Sequence, residues 1–122
     1  MAYIEFTANP KRRTNDCIIR SIANATQTDW QEVMREMCDI AIEKYAMPNN
    51  DVVAREYFNR RNIEQMYMYP GDNMTVARFC EENPEGNFVL CVPDHALSVI
   101  NGDYYDLVDS ANEPISAYWQ VK

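Results

Sequence analysis

Asp94-His95-Ala96-Leu97-Ser98-Val99-Ile100-Asn101-Gly102-Asp103-Tyr104-Tyr105-Asp106-Leu107-Val108-Asp109 is the stretch that decides the fold of this chain. Two apolar runs, 95–100 and 104–108, flank Asn101-Gly102. Both positions of a two-residue hairpin turn require positive φ, which Asn and Gly adopt at least cost. An antiparallel hairpin follows. With Asn101 and Gly102 as the turn, Leu97 opposes Asp106 and Val108 opposes His95. Asp106 therefore shares the face of His95, one diagonal step away at roughly 7–8 Å between backbones, a gap side chains can close. Asp109 points to the other face. A one-residue bulge at the turn would change the phase and set Asp109 opposite His95 instead. The two-residue turn favours Asp106.

Outward from the hairpin, Asn87–Val92 is another apolar run and Ile115–Val121 reads as a closing strand. Thr75 caps a short helix through Glu82, stopped by Asn83-Pro84. Ile63–Tyr69 alternates weakly and ends at Pro70-Gly71, which predicts a further strand. The first half is helical. From Cys17 to about Ala25, Ile18, Ile19, Ile22 and Ala23 recur at helical spacing, with Asn15 or Asp16 as cap. Thr28-Asp29-Trp30-Gln31 resembles a capping box. The helix it opens carries Trp30, Val33, Met34, Met37, Ile40, Ala41 and Tyr45 on one stripe. Pro48-Asn49-Asn50 breaks it, and Val52–Arg60 forms a third, shorter helix ending near Asn62. Helices first and an antiparallel sheet of three to five strands second make an α+β chain.

Composition bounds the function. With 122 residues the chain is sized for one domain, 1–122. Lys and Arg number 11 against 19 Asp and Glu, a net charge of −8, which argues against nucleic acid as a partner. No apolar stretch is long enough to span a bilayer, so no membrane partner is expected. Met-Ala-Tyr-Ile-Glu-Phe has no basic segment leading into an apolar one, so no secretory signal is read there, and a cytoplasmic setting is expected. The one basic run, Lys11-Arg12-Arg13, reads as a solvated loop, or as a contact for an acidic substrate or partner. The methionines at 34, 37, 47, 66 and 68 read as packing.

Four cysteines and a single histidine remain. No spacing among them suits a metal, and no cofactor is implied. Cys38, Cys80 and Cys91 lie mid-helix or mid-strand among apolar neighbours and read as small core residues. Cys17 differs, because it stands where a loop becomes a helix. A free thiol is mostly protonated near neutral pH. A helix N-terminus and an imidazole lower its pKa and create the reactive thiolate. A carboxylate on the ring's other nitrogen then fixes the tautomer. Taken singly, His95 reads as a structural histidine and Cys17 as a small buried residue. Together, with Asp106 in phase, they read as a Cys-His-Asp site.

Asn15-Asp16-Cys17-Ile18-Ile19-Arg20-Ser21-Ile22-Ala23 followed by Trp30 resembles the nucleophile helix of small papain-like cysteine peptidase-like proteins of phages and bacteria. Asp94–Val99, then Asn101–Asp109, resembles their His-hairpin-Asp half. The Asp-Cys pair is also similar to that of bacteriocin-processing peptidases that cut after double glycine. The resemblance implies a papain-like fold, N-terminal helices packed on a C-terminal antiparallel sheet. It implies a thiol hydrolase, a cysteine peptidase or isopeptidase acting on a peptide or protein, with Cys17 as nucleophile, His95 as base and acid, and Asp106 or Asp109 as orienting group. Papain-like enzymes place a glutamine six residues before the cysteine as an oxyanion donor. That position is Lys11 here, which leaves Asn15 or Asn9 beside the Cys17 backbone N–H. The Asp-Thr-Trp-Asp expected after the hairpin is Asp106-Leu107-Val108-Asp109. The alternative on the same scaffold is a binding protein with a vestigial triad, such as a phage effector that blocks a host protein in the host cytoplasm. An open cleft at an intact Cys17–His95–carboxylate array favours the enzyme, and a filled cleft favours the binder.

Overall fold

In the computed structural model, which describes residues 1–11, 15–69 and 71–122, Asn101 and Gly102 turn the chain with φ of 49° and 81°. The strands they join, β4 (His95–Ile100) and β5 (Asp103–Asp106), pair antiparallel with Val99 against Tyr104 and Ser98 against Tyr105. This is the register of the two-residue turn, with no bulge. β3 (Asn87–Val92) pairs with the other side of β4, Val92 opposing His95 across a Pro93-Asp94 turn. β6 (Ala117–Gln120) lies beyond β3, and β2 (Gln65–Tyr67) is the short strand at that edge.

The opposite edge differs from expectation. β1 (Tyr3–Glu5) runs parallel to β5, so among the described residues the sheet has six strands in the order β1-β5-β4-β3-β6-β2 and is mixed. Three residues are too few for alternation to register in sequence. Their pairing depends on a partner about a hundred positions away.

Among the described residues, four helices cover the sheet on both faces. α1 (Cys17–Thr26), α2 (Trp30–Lys44) and α3 (Asp51–Asn59) pack on one face, with Ile22, Val33, Met37, Ile40, Val53 and Phe58 against Val89, Ala96 and Trp119. On the other face, Val76 and Phe79 of α4 (Val76–Glu82) meet Phe88, Leu90, Leu97 and Val99. β3 and β4 are apolar on both faces because both are covered. The three N-terminal helices thus pack on the sheet as expected, and α4 covers its other face. No helix among the described residues is long and apolar enough to cross a membrane.

The ends of the helices follow local chemistry. Asn50 caps α3 by accepting from the Val52 N–H at 2.9 Å, and the Thr75 hydroxyl caps α4 by accepting from the Arg78 N–H at 3.2 Å. Gln27, in the left-handed region, closes α1, and the Thr28 N–H reaches back to the Ala23 carbonyl at 2.9 Å. Thr28 is occupied in that C-terminal motif, so the predicted capping box does not form and Asp29 stands at the N-cap of α2. Tyr45, predicted on the apolar stripe, is 98% exposed because the chain has already turned out of the helix there. Met47 and Met66 are likewise exposed, while Met37 is wholly buried. Of the basic run, Lys11 is exposed, and Arg12 and Arg13 lie outside the described residues, as does Pro70.

Candidate active site

α1 is buried from Ile18 to Ala25 and rests on β4 and β3, which fixes the direction of its N-terminus. Cys17 is its first residue and His95 the first of β4. Both line an open cleft of about 490 Å³. Asp51 and Arg55 of α3, Gln65 and Tyr67 of β2, Cys91 of β3 and Ser116 form its other walls. This cleft lies where the helical layer meets the ends of the strands.

Behind His95, Asp106 ends β5 with its side chain wholly buried. His95 Nε2 and Asp106 Oδ2 are 2.7 Å apart. A carboxylate can only accept, so Nε2 carries the proton and Nδ1 is the nitrogen left for Cys17. Three more donors hold the carboxylate. The Ser110 hydroxyl donates to Oδ2 at 2.8 Å, and the Leu107 N–H to Oδ1 at 2.7 Å. Arg20 Nη2 lies 3.4 Å from Oδ1.

Asp109 is elsewhere. It accepts from the Tyr104 hydroxyl at 2.7 Å and the Ala111 N–H at 3.1 Å, and so organises the bend after β5. The two-residue turn thus separates the two candidate carboxylates. Asn15 is exposed, with φ of 67°, and borders a neighbouring depression lined by Ile19, Trp30, Met34 and Pro48, not the Cys17 cleft. Asn9 is buried, and its amide donates to Asp16 Oδ2 at 3.2 Å. Asp16 stands at the N-cap position of α1 as expected, but its side chain makes no capping hydrogen bond. It points inward, accepting from Arg20 Nη1 at 2.8 Å and from the Trp30 indole at 2.9 Å.

These contacts set the charge state. Burial opposes ionisation of Cys17, but hydrogen bonding with His95 and the Ala96 backbone amide, then the charges of His95 and Arg20, outweighs it and holds the thiol pKa below its ordinary value. The Asp106 hydrogen bond, then the one with Cys17, raises His95 to about 9 against the pull of burial. Burial also works against the Asp106 carboxylate, yet His95 and Ser110 keep its pKa below the usual range. Both shifts favour the thiolate–imidazolium pair over the neutral pair. By contrast, burial pushes Cys80 and Cys91 up to about 11. Cys80 is buried, whereas Cys38 and Cys91, read as core, are only half-buried, and the Cys91 sulfur accepts from Gln65 at 3.9 Å.

Arg20, Asp16 and Ser110 were missed as members of this network. A signal existed for the first two: a charged pair at i, i+4 on a helix whose other residues are apolar or small. Ser110 carried none, because its role depends on the bend after β5. No protein-family model, curated protein or solved structure matches the chain.

Proposed function

We propose that this protein is a thiol hydrolase, most simply a cysteine peptidase or isopeptidase, on a papain-like scaffold of phage or bacterial type. One observation carries the reading. Cys17 and His95 face a common open cleft, and a buried carboxylate 2.7 Å from the far ring nitrogen holds the imidazole.

The chemistry follows from the charge states. The Cys17 thiolate attacks a substrate carbonyl, and the first amides of α1, which Asp16 does not cap, are the nearest donors for the resulting oxyanion. His95 gives its Nδ1 proton to the leaving amine, which departs and leaves a thioester on Cys17. The neutral ring then takes a proton from water, whose oxygen attacks the thioester. Collapse of this second intermediate releases the acid and restores the ion pair. Asp106 keeps the ring in one orientation and one tautomer throughout.

A protein-binding role without turnover is favoured by one observation: the edge strand β2 and its flank expose Met66, Tyr67 and Tyr69, and Tyr67 also lines the cleft. Exposed side chains of this kind suit a bound protein segment. The two readings separate in one experiment. A proteome-derived peptide library is incubated with wild type, Cys17→Ser and His95→Ala, and new N-termini are counted by mass spectrometry. The enzyme reading expects wild-type cleavages that both variants lose. Cleavage that survives in Cys17→Ser, or none with wild type, would count against it.

A further inference from the structure

Arg20 sits in α1 among Ile18, Ile19, Ile22 and Ala23 and is only 7% exposed. A guanidinium in such a place is costly unless it is fully paired. Its two ends meet two buried carboxylates on different elements, Asp16 Oδ1 at 2.8 Å and Asp106 Oδ1 at 3.4 Å. One carboxylate immediately precedes Cys17, and the other holds His95. A helix-stabilising pair would need Asp16 alone.

We propose that Arg20 is a positioning residue for the Cys17–His95 pair, cancelling the Asp16 charge beside the thiolate and keeping Asp106 ionised and aimed at the imidazole. The inference rests on the thiol-hydrolase reading. Without Arg20, two buried carboxylates, Asp16 and Asp106, would share the network with a single cation, His95. The planar fork of arginine suits the bridge because it can engage both acids at once. The groups facing Cys17 are Arg20 on its own helix, His95 from β4 with Asp106 behind it, and Cys91 from β3, while Asp16 precedes it in the chain and turns its carboxylate to Arg20. Asp51, Arg55 and Asp94 line the same cleft but are exposed, so solvent screens them.

The test is the pH dependence of iodoacetamide alkylation at Cys17, read by peptide mapping. Wild type should show a reactive step below that of a free thiol. If it shows only an ordinary thiol, the function reading itself fails. Given that step, Arg20→Met should move it to higher pH by about 0.5–1 unit, the size expected for a unit charge lost from the next turn of a helix. Arg20→Lys, which keeps the charge, should stay within about 0.3 unit of wild type. Asp16→Asn should move the step the other way, to lower pH, and this decides the matter if Arg20→Met does not fold. A folded Arg20→Met with an unchanged step would overturn the proposal. So would equal loss of the step in the Met and Lys variants, which would mark Arg20 as structural only, or an unchanged step in Asp16→Asn.

Discussion

Replacing Asp106 by Asn tests the electrostatic core of the site, and the lone histidine makes the result unambiguous. Asn keeps the shape of the side chain and removes its charge. In the wild type, His95 rises from the ordinary 6.5 to about 9, and Asp106 is the largest cause. At 1.36 kcal/mol per pH unit, that rise corresponds to roughly 3 kcal/mol in favour of the imidazolium. Solvent screens little of it, since the side chain of His95 is 25% exposed and that of Asp106 is fully buried. With Asp106→Asn, the hydrogen bond to Cys17 still raises the pKa while burial lowers it, and the imidazole should fall by about 2 units. The assay is a titration of the imidazole nitrogens by NMR, where only one histidine contributes signals. A wild-type midpoint near 6.5, or a folded Asp106→Asn variant that moves it by less than about half a unit, would refute the assignment of Asp106 as the partner that sets the charge of His95.

Two further outcomes follow from the same groups and from the core. A raised imidazole contributes stability that is fully present below pH 6.5 and lost as pH rises toward about 9. In wild type the lowered Cys17 thiol offsets part of this, because a depressed thiol contributes stability with the opposite pH slope. Cys17→Ala should therefore show a melting temperature that falls by several degrees across that window, while Cys17→Ala/His95→Ala stays flat. Phe58, wholly buried and stacked on Trp119 at 4.5 Å, anchors the α3–sheet contact. Phe58→Ala should cost about 3–5 kcal/mol in urea unfolding followed by tryptophan fluorescence.

Much of this architecture is legible locally. Asn101-Gly102 sets the phase of the hairpin by itself, and that phase puts Asp106 against His95 and leaves Asp109 to the following bend. The repeat of Ile18, Ile19 and Ile22 marks a helix that must be buried, so its first residue, Cys17, is held against the sheet. What escaped reading depends on distant partners. β1 is three residues long and becomes a strand only because β5 offers a parallel edge. Asp16 beside a helix start reads as a cap, yet Arg20, Trp30 and Asn9 draw it inward. Met47 and Tyr45 match a helical stripe in composition, but they fall where the backbone has turned to solvent.

A thiol hydrolase of this design activates one thiol of four, and competitive labelling measures that directly. Native protein is treated with limiting iodoacetamide at about pH 6, and the modified cysteines are ranked by peptide mapping. Cys17 should be alkylated first and by a wide margin, because Cys80 and Cys91 are held as thiols up to about 11 and reagent needs a thiolate. His95→Ala should slow Cys17 by an order of magnitude or more, since the imidazolium that stabilises the thiolate is gone. Equal labelling of all four cysteines, or a Cys17 rate indifferent to His95, would contradict an activated nucleophile at this site.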